Sequence, residues 1–325
     1  MRALVTGGAG FVGSNLIDAL LARGDEVTVL DDLSTGRREN LSSALEAGAE
    51  LRVGDVTDAE AVSAAFDAAR PEAVFHLAAQ IDVRVSVSDP AFDSRVNVGG
   101  TLNALEAARA AGGVGEARGP KFVFASTGGA IYGEGAGREL PLSEDAECLP
   151  DAPYGQAKLA AEGYVDLYRR AHGVPGVSLR LGNVYGPRQD PLGEAGVIAI
   201  FCGRLGSGAR PTVFGSGEQT RDYIYVGDVV AAMLGAAEAD VAGPFNIGTG
   251  RETSVVELVE RLADLGGRED FEPEFADPRP GEVERISLDS ARAEAELGWR
   301  AETGLEEGLR LTLAWQEREA PASNL

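Results

Sequence analysis

The stretch Tyr154-Gly-Gln-Ala-Lys158 sets a phenol and an ammonium four residues apart. On a helix that spacing places both on one face, one turn apart. At about 4 Å and an effective dielectric near 20, the ammonium favours the phenolate by about 4 kcal/mol, or roughly three pKa units. A phenol of ordinary pKa about 10 would then approach neutrality, where a general base works best. Alone the pair is a weak signal, because solvated helix faces carry Tyr and Lys at this spacing for no chemical reason. Composition strengthens it. Only two lysines, Lys121 and Lys158, stand among 29 Lys and Arg. A chain that otherwise uses Arg keeps a compact, titratable cation here, a role a guanidinium fills poorly. Two hydroxyls, Ser126 and Thr127, close a strand pattern running from Lys121 to Ala125. Hydroxyls at the carboxyl end of a central strand lie where ligands bind in a doubly wound sheet.

The elements that must position these groups are legible upstream. Residues 2–6 read as a short buried strand, followed by Gly7-Gly-Ala-Gly10-Phe11-Val12-Gly13 and an amphipathic run from Ser14 to Arg23. Strand, glycine turn and helix are the setting a dinucleotide fingerprint requires. The glycines let the backbone approach a pyrophosphate at the helix N-terminus. A second strand, Glu26–Leu30, ends in Asp31-Asp32, an acid roughly 20 residues on that can bond both ribose hydroxyls and repel a 2′-phosphate. NAD is therefore favoured; Arg37 and Arg38 nearby keep NADP open on sequence grounds.

Further strands are expected at Leu51–Asp55, at Ala73–Leu77, and at Gly176–Leu181. The third strand ends in Asp55-Val56. The fourth, which contains His76, read as a core residue, runs into the small residues Ala78 and Ala79 and Gln80, which permit close approach of a cofactor. Helices are expected over Asp58–Ala69 with Asp58 as N-cap, over Pro90–Ala111 carrying Asn97, and over Pro153–His172. Asn97 is placed to bond backbone at the active site. The alternation predicts an α/β fold, a doubly wound parallel sheet of Rossmann type.

After Asn183 the pattern changes to loops rich in Gly, Pro and charge, with shorter elements. This suggests a dinucleotide-binding domain over 1–182, to which 222–248 returns, and a smaller α/β substrate domain over 183–325. The chain is 325 residues long and 44% hydrophobic, ample for a large core. No apolar run reaches the ~18 residues of a membrane span, and the N-terminus opens straight into a strand. Cys148 and Cys202 give no disulfide framework, and with only His76 and His172 a metal site is not expected. A cytoplasmic, metal-free protein is the expectation. A net charge of −23 would repel nucleic acid. The acidic excess suits either a salt-loving source or a GC-rich genome that prefers Arg and Ala codons.

The glycine turn, Asp31, Ser126-Thr127, Tyr154/Lys158 and the arginine-bearing loops occur in a definite order. With them come Leu-Arg-Leu-Gly-Asn-Val-Tyr-Gly-Pro-Arg at 179–188, Arg-Asp-Tyr-Ile-Tyr-Val-Gly-Asp-Val at 221–229, Arg-Pro-Gly-Glu at 279–282 and Leu-Gly-Trp at 297–299. Over essentially its full length the chain resembles the extended short-chain dehydrogenase/reductases. Within them it is most similar to the UDP-glucose 4-epimerases and related nucleotide-sugar epimerases. The resemblance implies an isomerase that interconverts UDP-glucose and UDP-galactose by transient oxidation at C4 with bound NAD. It implies that Gly7, Gly10, Phe11, Val12, Gly13, Asp31, Asp32, Asp55, Val56, Leu77, Ala78, Ala79, Gln80 and Asn97 serve the cofactor, together with Tyr154 and Lys158. Tyr154 would be the base, Lys158 its activator, and Thr127 with Ser126 the partners of the sugar O4. Asn183, Val197, Thr212, Val213, Phe214, Arg221, Arg279 and Glu282 would hold the UDP-hexose, the two arginines clamping its diphosphate. A homodimer through the helices at 90–111 and 153–172 is implied by resemblance only.

The chain also departs from that pattern. Related 4,6-dehydratases and decarboxylases place an acid directly after the catalytic Ser/Thr, where this chain has Gly128 and Gly129, which favours epimerisation. Leu181-Gly182 replaces bulkier aromatics, and 194–197 lacks a familiar Asn. Ile286 is expected beside the sugar, where a small residue would admit an N-acetyl group. UDP-glucuronate or UDP-N-acetylhexosamine 4-epimerases and dTDP- or GDP-sugar dehydratases or reductases are the alternatives. A non-catalytic NAD-sensing module on the same fold is the remote one.

Overall fold

The computed structural model describes residues 1–112, 119–191, 196–279 and 283–319. Short, mostly apolar runs, and at the sheet edge the exposed Glu-Leu-Arg-Val, form seven strands: β1 (Arg2–Thr6), β2 (Glu26–Asp31), β3 (Glu50–Val53), β4 (Ala73–His76), β5 (Lys121–Thr127), β6 (Gly176–Leu181) and β7 (Gly243–Ile247). They join in one sheet in the order β7-β6-β5-β4-β1-β2-β3, every pair parallel. The chain winds outward from β1 to β3, then returns to β4 on the other side of β1. The crevice beyond the carboxyl ends of β1 and β4 is therefore the topological switch point, where ligands bind in open α/β sheets.

Side chains alternate across each strand and so supply two cores. On one face α1 (Phe11–Ala22) brings Leu16, Ile17 and Leu20 against Val5, Val29 and Val123. On the other, α2 (Ala59–Ala69), α3 (Thr101–Ala111) and α4 (Pro153–His172) cover Leu4, Val74, Phe122 and Phe124. Each fully buried Leu or Ile contributes about 1.5–3 kcal/mol by area removed from water. Helix α5 (Val226–Glu238) packs with α1 in the first core, and β7 extends the sheet beside β6.

Three smaller strand pairs lie outside the main sheet: Asn183–Tyr185 with Tyr223–Tyr225, Thr220–Arg221 with Thr253–Ser254, and Thr212–Phe214 with Glu274–Ala276. Their core gathers Tyr185, Phe201, Leu258, Leu262 and Leu309. Asp222, almost fully buried, accepts from the Thr249 N–H and hydroxyl and from the Gly250 and Leu288 N–H groups. One carboxylate thus ties together the loops that follow β7 and precede the C-terminal helices.

The expected single helix over 90–111 is divided. Pro90–Ser94 is one α-turn, capped by the Asp89 carboxylate on the Phe92 N–H at 2.9 Å. Residues Arg95–Gly100 form a wider π turn before α3 begins. The physical reason lies at Gly99-Gly100, a poor helix pair, where Gly100 lets Val56 approach so closely that a Cβ would sit 2.7 Å from its Cγ2. A helix at Val83–Ser88, capped by Asp82, was not legible because its apolar positions carry no helical period.

Candidate active site

The glycine turn between β1 and α1 is shaped by close approaches. Gly7 has φ +70°, and a Cβ there would lie 2.6 Å from the Ala78 nitrogen. A Cβ on Gly13 would lie 2.4 Å from the Gly7 carbonyl oxygen. Only glycine lets the start of α1 rest on this turn and the turn rest on Leu77-Ala78. Gly10 caps α1 with no side-chain acceptor, and no acid stands in the first turn. The amides of Phe11, Val12 and Gly13 therefore have no partner inside the helix and face an anion with the positive end of the helix dipole. This cradle fits a dinucleotide pyrophosphate.

Asp31 ends β2 and accepts from the Ala9 N–H at 2.8 Å and the Leu33 N–H at 2.9 Å. Burial raises its pKa, opposed by those two amides, while neighbouring Asp32 raises it further. Each carboxylate oxygen keeps a lone pair for a ribose hydroxyl. Asp32 itself is exposed and bonds Ser34. Asp55 is exposed and caps the Thr57 N–H; Val56 is buried, its carbonyl accepting from Asn103. The loop after β4 is held from behind: Asn97 accepts from the Gln80 N–H at 3.1 Å and donates to the Gln80 carbonyl at 2.9 Å. Leu77, Ala78, Ala79 and Gln80 are all half-buried along the crevice. Across it, Arg37 donates to Asp190 at 2.5 Å, Asn15 to the Pro187 carbonyl at 3.0 Å, and Arg188 pairs with Asp18.

Tyr154 and Lys158 lie one turn apart near the start of α4, as their spacing requires. Thr127, at the end of β5, stands beside the Tyr154 hydroxyl and favours its ionised form. The electrostatics differ from the sequence expectation. Lys158 is buried, donates to the Ala125 carbonyl at 3.0 Å, and stands 4.8 Å above the Phe124 ring. Burial lowers its pKa to about 8, against the charges of Asp93 and Glu162, which hold it up. The Tyr154 phenol is pushed up, not down: burial is the main cause, Asp93 adds to it, and only Thr127 opposes. The ammonium is turned to a backbone carbonyl and a ring face, so spacing alone overstated what it does to the phenol. His76 is a core group bonded to Thr6 and Thr101, its pKa lowered by burial and by Lys158 to about 3.

Ser126 corrects a second expectation. In the alternation of β5 it follows Phe122 and Phe124 and so faces α4, the helix that carries Glu162. With Thr127 beside Tyr154, the Ser126 hydroxyl donates to Glu162 at 2.5 Å. Glu162 in turn accepts from the Arg180 Nη2 at 2.8 Å, the pair being almost fully buried. Arg180 continues to the Tyr132 hydroxyl at 2.8 Å, which donates to Asn246 at 2.8 Å. Ser126 thus belongs to a buried chain behind the site rather than to the sugar O4.

On the substrate side, Asn183 and Thr127 converge on Gly129: a Cβ there would lie 3.4 Å from the Asn183 Oδ1 and 3.8 Å from the Thr127 Oγ1. At Gly128 there is no such room, since a Cβ would meet Leu288 Cδ1 at 2.4 Å. Arg279 stacks on the Phe214 ring with its guanidinium carbon 4.0 Å from the centroid. Arg221 donates to the Thr220 carbonyl. Thr212 and Phe214 are half-buried, and Val197 begins the helix Val197–Ser207. Val213 points the other way, into the core with Ile198 and Phe201, so its side chain does not reach a ligand. Ile286 likewise packs with Ile131, Tyr132, Leu142 and Leu288 and is almost fully buried, not lining an open sugar pocket. Glu282 lies outside the described residues. Among the described residues no group of His, Cys, Asp or Glu side chains gathers as a metal site, and no helix is long and apolar enough to cross a membrane.

Sequence reasoning missed Asp93, Glu162, Arg180 and Tyr132. Two left a signal. Glu162 stands four residues beyond Lys158, on the face of Tyr154 and Lys158. Arg180 interrupts the otherwise uncharged run Val-Ser-Leu-Arg-Leu of β6, and a charge inside a buried strand calls for a buried partner.

The family model described as GDP-mannose 4,6 dehydratase matches residues 4–312. A UDP-glucose 4-epimerase of Mycolicibacterium smegmatis is 46% identical over 315 residues, covering 96% of this chain and 97% of that protein. The structure of a UDP-glucose 4-epimerase with UDP-glucose, from Thermotoga maritima, superposes with a TM-score of 0.91 at 44% identity, over 98% of this chain and 99% of the other. A Thermus thermophilus UDP-glucose 4-epimerase in complex with NAD gives a TM-score of 0.89 at 45% identity, over 98% and 99%. With a fingerprint turn at the switch point and a Tyr–Lys helix beside it, the chain belongs to this NAD-dependent epimerase/dehydratase family of the extended short-chain dehydrogenase/reductases.

Proposed function

We propose that the chain is a nucleotide-sugar 4-epimerase that interconverts UDP-glucose and UDP-galactose on a resident NAD. The observation that carries this reading is the Tyr154–Thr127 pair beside buried Lys158, at the end of the strand next to β4, whose own end abuts the glycine turn. The turn Gly7–Gly13 would hold the pyrophosphate, Asp31 the adenosine ribose, Asp55 and Val56 the adenine side, and Lys158 the nicotinamide ribose. The Arg37–Asp190 pair neutralises the charge that a 2′-phosphate would seek, which supports NAD over NADP. NAD, when bound, supplies the hydride acceptor and donor at C4 and a positive charge beside the phenol.

The chain's own residues handle one proton and one tether. Thr127 holds the sugar O4 hydroxyl, and Tyr154 takes its proton as the C4–H bond breaks. Arg221, Arg279 and Phe214 keep the UDP end fixed, so the 4-keto sugar turns over without leaving. Tyr154 then returns the proton when hydride arrives on the other face. Binding energy is thus placed on the nucleotide, away from the reacting carbon. The dehydratase alternative needs an acid after Thr127. Leu288 fills the space a side chain at Gly128 would take, which supports epimerisation.

The test is incubation of purified protein with UDP-galactose, without added cofactor, following UDP-glucose by chromatography. Conversion is expected. No conversion by NAD-loaded protein would transfer the reading to UDP-glucuronate and UDP-N-acetyl sugars. Turnover of none of these would leave the NAD-sensing module. The assembly we propose is a homodimer through α4 and the helices before it, where Phe92, Tyr164 and Leu167 leave apolar surface exposed. Light scattering should give twice the 33.8 kDa chain mass; a monomer would remove this assignment.

A further inference from the structure

Asp93 is the most deeply buried carboxylate near the site, with no exposure at all. Its Oδ1 accepts from Gln80 Nε2 at 2.9 Å and from Asn97 Nδ2 at 3.0 Å. Its Oδ2, equally buried, has no partner. An uncompensated carboxylate oxygen in a protein interior is costly unless a counter-charge stands near. The short helix carrying Asp93 packs on α4, which carries Tyr154 and Lys158. Its charge acts on both, holding Lys158 protonated and disfavouring ionised Tyr154.

The other charges nearby do not perform this task. Arg84 and Arg95, on the adjoining turns, are exposed, Arg84 paired with Asp82 and Arg95 lying over Phe92. Asp82 and Asp89 are spent on helix caps. Glu162 reaches Lys158 from the other side but is committed to Arg180. His76 is neutral near pH 7.

We propose that Asp93, its Oδ2 buried without a hydrogen bond on the short helix packed against α4, is the counter-charge of the Tyr154–Lys158 pair, a positioning residue for the base. The proposal rests on the epimerase reading for its consequence in turnover, but not for its existence. Gln80 and Asn97 link the same carboxylate to the loop after β4. The cofactor-lining backbone and the charge state of the base therefore share one group.

Asp93→Asn tests it, because the amide keeps an oxygen for Gln80 and Asn97 and removes only the charge. Removing a negative charge eases ionisation of Tyr154 and eases proton loss from Lys158. Both limbs of the kcat profile for UDP-galactose should therefore move to lower pH by about one unit. Independently of turnover, the tyrosinate absorbance of the NAD-loaded protein, taken against Tyr154→Phe, should titrate about one unit lower in Asp93→Asn. Asp93→Ser removes the same charge with a smaller group and must shift it the same way. An unmoved titration in both variants overturns the proposal and leaves Asp93 a packing residue. Failure to convert UDP-galactose sinks the epimerase reading alone, since the absorbance titration still decides the role of Asp93.

Discussion

Tyr154→Phe is expected to lower kcat for UDP-galactose by about 10²–10⁴-fold while KM changes only a few-fold, the signature of a lost proton acceptor. Phenylalanine fills the same space on α4 and removes one oxygen. The Thr127 hydroxyl then has no phenol beside it, and the O4 proton has no acceptor within reach. Cofactor should still co-purify, because the glycine turn and Asp31 are untouched. Measuring single-turnover reduction of the bound cofactor separates the cases. The variant should show none on the turnover timescale, whereas the wild type reduces a fraction before the hydride returns. A variant retaining near wild-type kcat would remove Tyr154 as the base and pass the role to another group beside Thr127.

Glu162→Ala should produce the largest loss of stability, about 3–5 kcal/mol, because it leaves the Arg180 guanidinium buried and uncompensated. In the thermal transition of a chain this long it corresponds to a Tm lower by roughly 5 °C. The same change takes away the acceptor of the Ser126 hydroxyl and one of the two carboxylates that hold Lys158 charged. Replacing both partners, Glu162→Leu with Arg180→Met, should recover most of the stability, since no charge is then stranded. It should not recover full activity at neutral pH, because Lys158 loses part of its support. A single variant melting within a degree or two of the wild type would mean that water reaches Arg180 and that the pair holds nothing together.

Much of the frame was legible because it rests on short-range periods. Six strand patterns with turns and helical runs between them alternate β and α, which builds a parallel sheet. The glycine spacing after β1 follows from how closely the start of α1 approaches Gly7. The acid at the end of β2 and the Tyr154–Lys158 spacing are likewise local. The C-terminal third was harder. Its strands outside the main sheet are two or three residues long, too short to show a period, and each pairs with a partner remote in the chain, as Thr212–Phe214 does with Glu274–Ala276.

What tertiary structure alone decided is which way each group faces and what surrounds it. Ser126 and Thr127 look equivalent in sequence, yet the Ser126 hydroxyl is taken by Glu162 while Thr127 stands beside Tyr154, at the start of the same helix. The spacing of Tyr154 and Lys158 says that they share a face. It does not say that the ammonium is turned to the Ala125 carbonyl, or that burial and Asp93 push the phenol up. The charges that govern the site, Asp93, Glu162 and Arg180, come from three separate stretches of chain. Sequence determines secondary structure and the turn chemistry through contacts within a few residues. Electrostatics in a buried site depends on desolvation and on partners tens of residues away, and those exist only once the sheet has closed its two faces.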